Sequence, residues 1–258
     1  MSDTFSPGAE SAAASGGAPP VILDAPPPAS AWTGIGIGVE VGLQRLARRS
    51  TWLVSLLGIA LAVVGALIER RVSSAGAVDR ALHGAVGLIL PLVVFAIVTG
   101  VIGRAHLREA CWGAARFGVA RRDVALGIVI ATAGVGGAVA LLIMLTSVVA
   151  AHSTSAPPLA GDVLTSAWIG ALTGAAYVGW FSFGATIFQR GGGRFIPLTI
   201  DLVLGGSAGI VGVILPRGNA QNLIGGLAPL GLSQPASTTI LLTSAIVLGV
   251  GAAIRCRE

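Results

Sequence analysis

Val124-Ala-Leu-Gly-Ile-Val-Ile-Ala-Thr-Ala-Gly-Val-Gly-Gly-Ala-Val-Ala-Leu-Leu-Ile-Met-Leu-Thr-Ser-Val-Val-Ala-Ala151 runs for 28 residues without an ionisable side chain. A helix needs about 20 mostly apolar residues to cross the hydrocarbon of a bilayer, so this stretch is long enough to span with tilt. The composition of the whole chain points the same way. Of its 258 residues, 54% are hydrophobic and 10% charged, against roughly 45–50% and about 25% in soluble domains. That excess calls for lipid rather than for a larger soluble core.

Working outward, five more uncharged or nearly uncharged stretches have spanning length: 50–68, 84–103, 163–189, 195–215 with Asp201 inside it, and 238–254. Trp52 and Trp168 stand near span ends, where interfacial anchors belong. A shorter apolar piece, 223–232, is broken by Gly225, Gly226 and Pro229 and reads as a re-entrant segment. Residues 1–30 hold six of the 13 prolines and no basic residue, which reads as a disordered tail without a cleavable signal peptide. From Trp32 to Arg49 the pattern turns amphipathic, as in an interfacial helix feeding the first span. The expectation is an all-α integral membrane protein with a tail over 1–30 and a six-helix domain over 31–258.

Arginine placement orients it. With an even number of spans, twelve arginines fall on the side of both termini and four (Arg70, Arg71, Arg80 and Arg217) on the other, which puts both termini in the cytoplasm. All 16 basic residues are arginine. A P-loop needs a lysine on the nucleotide phosphates, so an ATP-driven role would have to borrow its motor from another chain. Cys111 and Cys256 both fall on the cytoplasmic side, consistent with reduced thiols. Three histidines and two cysteines without ligand spacing give no metal site.

The longest charged connection joins the second and third spans, from Arg104 to Asp123. Read as a helix, it places Arg104, Arg108, Trp112 and Arg116 on one row and Leu107, Cys111 and Ala115 on the next. Gly118 ends it, and Arg121, Arg122 and Asp123 open the third span. The six spans, the interfacial helix, a charged amphipathic helix carrying Glu109 and followed by Gly118-Val-Ala-Arg-Arg122, and the broken loop before the last span resemble an ABC-2 type ABC-transporter permease. Where that family often carries Pro-Val-Ser before its basic turn, this chain has Gly118-Val119-Ala120. The resemblance covers residues 35–258.

It implies a permease subunit of an exporter in the cell inner membrane, paired as a homodimer or heterodimer. The partner would be a separate ATP-binding cassette ATPase that holds ATP and Mg, with no cofactor on this chain and no nucleic acid involved. By the same resemblance Arg104, Arg108, Glu109, Trp112 and Arg116 form the coupling surface, with Arg121 and Arg122 at the basic turn. A membrane carrier or scaffold that uses no ATP is the alternative, the arginine-rich segment then lying on lipid headgroups.

Three smaller features complete the reading. Asp201 is the one acidic residue well inside a predicted span, at a cost of about 2.5–3.5 kcal/mol near a helix centre. It reads first as a group held by Arg194 and the start of its own helix, and second as part of a translocation path. Gly205-Gly-Ser-Ala-Gly209 formally matches a serine nucleophile pattern, but with no histidine in the spans it reads as close helix packing. Gly191-Gly-Gly-Arg194 reads as a flexible cytoplasmic turn ahead of a weak anion nest.

Overall fold

The computed structural model describes residues 30–73, 75–103, 105–115, 118–153, 159–188 and 190–256. The tail expected over 1–30 therefore lies outside the described residues except for Ser30, as do Arg104 and Arg116. Every regular element among the described residues is helical. Four helices are long and apolar enough to cross a membrane: Arg49–Val72, Ala77–Ile102, Arg121–Ala151 and Gln234–Ile254. They define an all-helical membrane protein.

In chain order the elements are α1 (Ala31–Leu46), α2 (Arg49–Val72), α3 (Ala77–Gly84) and α4 (Leu90–Ile102). One π-helical turn, Ala85–Ile89, joins α3 and α4 into a single rod. The second predicted span thus begins earlier than expected and takes Asp79, Arg80 and His83 into its first turns. Next come α5 (Leu107–Ala110), α6 (Trp112–Ala115), α7 (Arg121–Ala151) and α8 (Leu159–Gly184). The chain ends with α9 (Phe195–Leu204), α10 (Ile210–Ile214), α11 (Pro216–Leu223) and α12 (Gln234–Ile254).

Two sequence expectations need correction. The fifth span, 195–215, is not continuous: Gly205 to Gly209 leave the helix, and α9 and α10 are the two pieces. The connecting segment after the second span is two single turns parted at Cys111 rather than one helix. The fourth predicted stretch, 163–189, lies for the most part in α8, which is 26 residues long and is not among those four helices. Its Thr, Ser, Gly, Tyr and Trp residues dilute its hydropathy because it packs among helices, against α7 and α12, rather than against lipid.

Small residues make these contacts. Lipid supplies no hydrophobic drive between helices, so association depends on close backbone approach. At 1.5 Å per residue the 31 residues of α7 extend about 46 Å, well beyond a hydrocarbon core of about 30 Å. The first turns of α7 carry α1, whose buried positions are Gly34, Gly38, Gly42 and Leu46. Gly38 and Gly127 bring the two backbones together, and a methyl group on Gly38 would run into the Val124 carbonyl oxygen. Gly170 and Gly174 of α8 fit against the Ala140 and Gly136 carbonyls of α7 in the same way.

α2 shows the complementary face. It buries only Thr51, Ser55, Gly58, Ala62 and Ala66 and exposes Leu53, Leu56, Leu57, Leu61, Val64 and Leu67. An apolar face of that extent belongs in hydrocarbon. Hydroxyls buried in the bundle close onto their own helices: Ser55 donates to Thr51 O at 2.9 Å, Thr132 to Ile128 O at 2.7 Å and Ser147 to Ile143 O at 2.8 Å.

The α1 and α7 seam gives a paired test. Gly38→Ala is expected to lower stability in detergent by about 1–3 kcal/mol through overpacking. Gly36→Ala on the open face of the same helix, with nothing within 4 Å of the added methyl, is expected to raise it by about 0.5–1 kcal/mol. Thermal unfolding of the two variants beside the parent checks the sign of each.

Candidate functional site

The segment between α4 and α7 is held from three sides. Arg45 of α1 donates from Nη1 to Val101 O at 3.1 Å and from Nη2 to Ala110 O at 2.9 Å. Arg194 donates to Gly191 O at 2.8 Å and to Ala105 O at 3.2 Å. The His106 ring shares a 3.1 Å hydrogen bond with Thr186 O at the end of α8. Burial pushes the Arg45 and Arg194 guanidiniums below the usual arginine value, yet arginine stays charged in proteins. Leu107 and Cys111 face inward, as the helical row predicted, while Arg108, Glu109 and Trp112 are exposed. Gly118 has φ 77°, a left-handed backbone that favours glycine, while the last described helical turn before it ends at Ala115.

Beside this segment lies a cleft of about 760 Å³ lined by His106, Arg108, Glu109, Trp112, Arg121, Thr186, Ile187, Phe188 and Arg255. The Arg121 guanidinium sits over the Trp112 ring at 4.6 Å, and that of Arg255 over Phe183 at 5.6 Å. Arg122 instead pairs with Asp123 at 3.2 Å. The cleft therefore gathers Arg108, Glu109, Trp112 and Arg121 from the predicted surface and leaves out Arg122. Sequence periodicity had no means of adding Thr186, Phe188 and Arg255, which come from the ends of α8 and α12, far away in the chain.

A second polar cluster lies inside the bundle. Asp201 is 1% exposed. Its carboxylate accepts from the Tyr177 hydroxyl at 2.7 Å and from the Arg217 backbone N–H at 3.3 Å. The sequence expectation that Arg194 holds Asp201 is thus corrected: Arg194 is occupied with Gly191 and Ala105, and α11 folds back to bring Arg217 instead. The Arg217 guanidinium packs against Gly87, near the middle of the Ala77–Ile102 rod and inside its π-helical turn. Such π-turns recur at functional sites.

α11 supplies what the broken helices lack. Arg217 Nη1 donates to Leu202 O at 3.1 Å, and Asn219 Nδ2 donates to Val213 O at 2.6 Å and Leu215 O at 3.0 Å. Asn222 Nδ2 donates to Leu232 O and to Ser237 Oγ, each at 2.9 Å. Carbonyls freed where α9 and α10 stop are met by side chains of one short polar helix. The 205–209 stretch is this break; Gly205 and Gly206 lie close against Arg217 of α11, in line with the close packing expected of them, and Ser207 Oγ has no hydrogen-bond partner among the described residues. The 223–232 segment is also irregular, with Gly225 at φ 85° and Leu230 at φ 51°, and Leu230 N–H donates to Ala208 O at 2.8 Å. The Gly191 turn has φ 64° and closes into the short 3-10 helix Gly192–Arg194, with Gly193 and Arg194 buried, so it is a turn held in place rather than the flexible one expected.

Comparison with family models, curated proteins and solved structures gave no match to this chain.

Two tests follow from this geometry. Asp201→Ala leaves the Tyr177 hydroxyl and the Arg217 N–H without their acceptor, with an expected loss of about 1–3 kcal/mol. Combined with Tyr177→Phe in a double-mutant cycle, the loss is expected to be less than additive. Burial raises the Cys111 thiol to about 12 and the Cys256 thiol to about 11. Neither is expected to react with maleimide at neutral pH until the protein unfolds. An unfolded thiol ionises near about 8.5, so these two groups lower stability as pH rises from there toward the folded values.

Proposed function

We propose that this chain is the membrane-spanning permease subunit of an ATP-binding-cassette exporter, driven by a separate ATPase and working as a homodimer or heterodimer. In this reading the chain sits in the cell inner membrane with both termini cytoplasmic and crosses six times. α8 is the fourth crossing, the broken α9 to α11 region the fifth, and 223–232 the cap at the outer end. α1 lies at the cytoplasmic interface. ATP and Mg stay on the partner chain.

The observation that carries the reading is the anchoring of the 105–115 segment. A surface that transmits a partner's closure has to be stiffly tied to the helices it moves. Arg45, His106 and Arg194 tie this one to α1, to the end of α8 and to the turn before α9, while Arg108, Glu109 and Trp112 remain exposed. Closure of two ATPase subunits would then move α4, α7 and α8 as rigid bodies and switch access between the two sides.

One feature favours the carrier alternative. A buried carboxylate beside interrupted helices and a mid-bundle arginine is the arrangement in which transporters driven by ions hold their coupling ion or substrate. Asp201, Tyr177 and Arg217 have that arrangement.

Affinity purification from the native membrane in mild detergent separates the two. Recovery of an ATPase at about one per permease, lost in the Glu109→Arg, Trp112→Ala double variant, is the expected result for the exporter subunit. A wild-type chain that brings down no ATPase, yet loses transport on Asp201→Asn, overturns it in favour of the carrier.

A further inference from the structure

The cleft at the end of the bundle has a feature that protein docking does not require. Arg108, Arg121 and Arg255 converge on it, and among the described residues of its lining Glu109 is the one carboxylate. Among the described residues the ion pairs are Glu69 with Arg80 and Asp123 with Arg122, so the three cleft arginines have no carboxylate partner there. Arg121 and Arg255 are positioned instead by aromatic rings, Trp112 and Phe183. A guanidinium held by its face keeps its N–H edges available, and those edges match the oxygens of a phosphate.

The rest of the lining narrows the ligand. Phe188 is 54% exposed, Ile187 41% and Trp112 48%. A free inorganic anion has no use for apolar groups beside its cations, whereas an amphiphile places its charge on one and its chain on the other. Arginine clusters of this kind at the cytoplasmic side of helix bundles suit anionic headgroups. From the basic cleft and its apolar neighbours we infer a binding site for the phosphate of an anionic phospholipid. Arg121 and Arg255 hold the phosphate oxygens, Arg108 adds charge, and Phe188 and Ile187 meet the start of the acyl chains.

The bound lipid bridges the start of α7, the end of α8 and the end of α12, three points far apart in sequence. The site does not depend on the permease reading, because it needs only this chain and a membrane.

Native mass spectrometry tests it on the full chain, released from phosphatidylcholine nanodiscs containing phosphatidylglycerol. The wild type is expected to retain phosphatidylglycerol in preference to phosphatidylcholine. Arg121→Gln with Arg255→Gln is expected to weaken that retention about tenfold. Arg122→Gln, outside the cleft and paired with Asp123, should leave it unchanged. Equal retention of the two lipids by the wild type overturns the proposal without any variant, as does a folded double variant that still selects phosphatidylglycerol. Excess inorganic phosphate decides the source: failure to displace the lipid supports the headgroup, and full displacement overturns the lipid site in favour of a soluble phosphate.

Discussion

In hydrocarbon no water is present to hydrogen-bond a free N–H or C=O, and each one left unsatisfied costs several kcal/mol. The architecture of this chain follows from where it obeys that constraint passively and where it has to answer it. Along α2, α4, α7 and α12 the helix satisfies its own backbone. Between Leu204 and Gln234 it does not, and there the sequence turns polar. Arg217, Asn219 and Asn222 of α11 reach back to carbonyls of Leu202, Val213, Leu215 and Leu232. In the opposite sense, Asp201 accepts the N–H that opens α11. Removing α11 from this place would strand carbonyls on both sides of it.

Because lipid drives helix association weakly, the remaining bundle relies on shape. Glycine seams between α1 and α7 and between α7 and α8 allow backbone contact, and the large aliphatic side chains of α2 turn outward. Packing and function meet at α7. It is the longest helix among the described residues, and α1 clamps its first turns. Arg45 of α1 then fixes the segment that sets the shape of the basic cleft. A change in how α1 sits on α7 therefore reaches the cleft through Arg45 on α1 and through Arg121 on α7 itself.

Two polar centres result, and they differ in kind. The inner one is closed: Asp201 is buried and engaged by Tyr177 and Arg217. The outer one is open, with arginines held by aromatic faces and a volume of about 760 Å³. Both involve α8, through Tyr177 within the helix and through the Thr186 to Phe188 turn just past its end. A tilt of α8 would act on the two together.

That this is a helical membrane chain is legible in its residues alone, because an apolar run of about 20 residues has no other low-energy form in a bilayer. Local pattern also set Leu107 and Cys111, which are buried, apart from Arg108 and Trp112, which are exposed. Local reading failed at 195–215, where apolar composition predicted one span; composition does not report that Gly205 to Gly209 unwind when the short polar helix that follows folds back and offers donors. Folding in three dimensions is what brings Arg217 rather than Arg194 to Asp201, and Arg255 and Phe188 to Arg121 around one cleft. Those pairings join residues far apart along the chain, and their physical basis is the approach of helix ends, which no periodicity encodes.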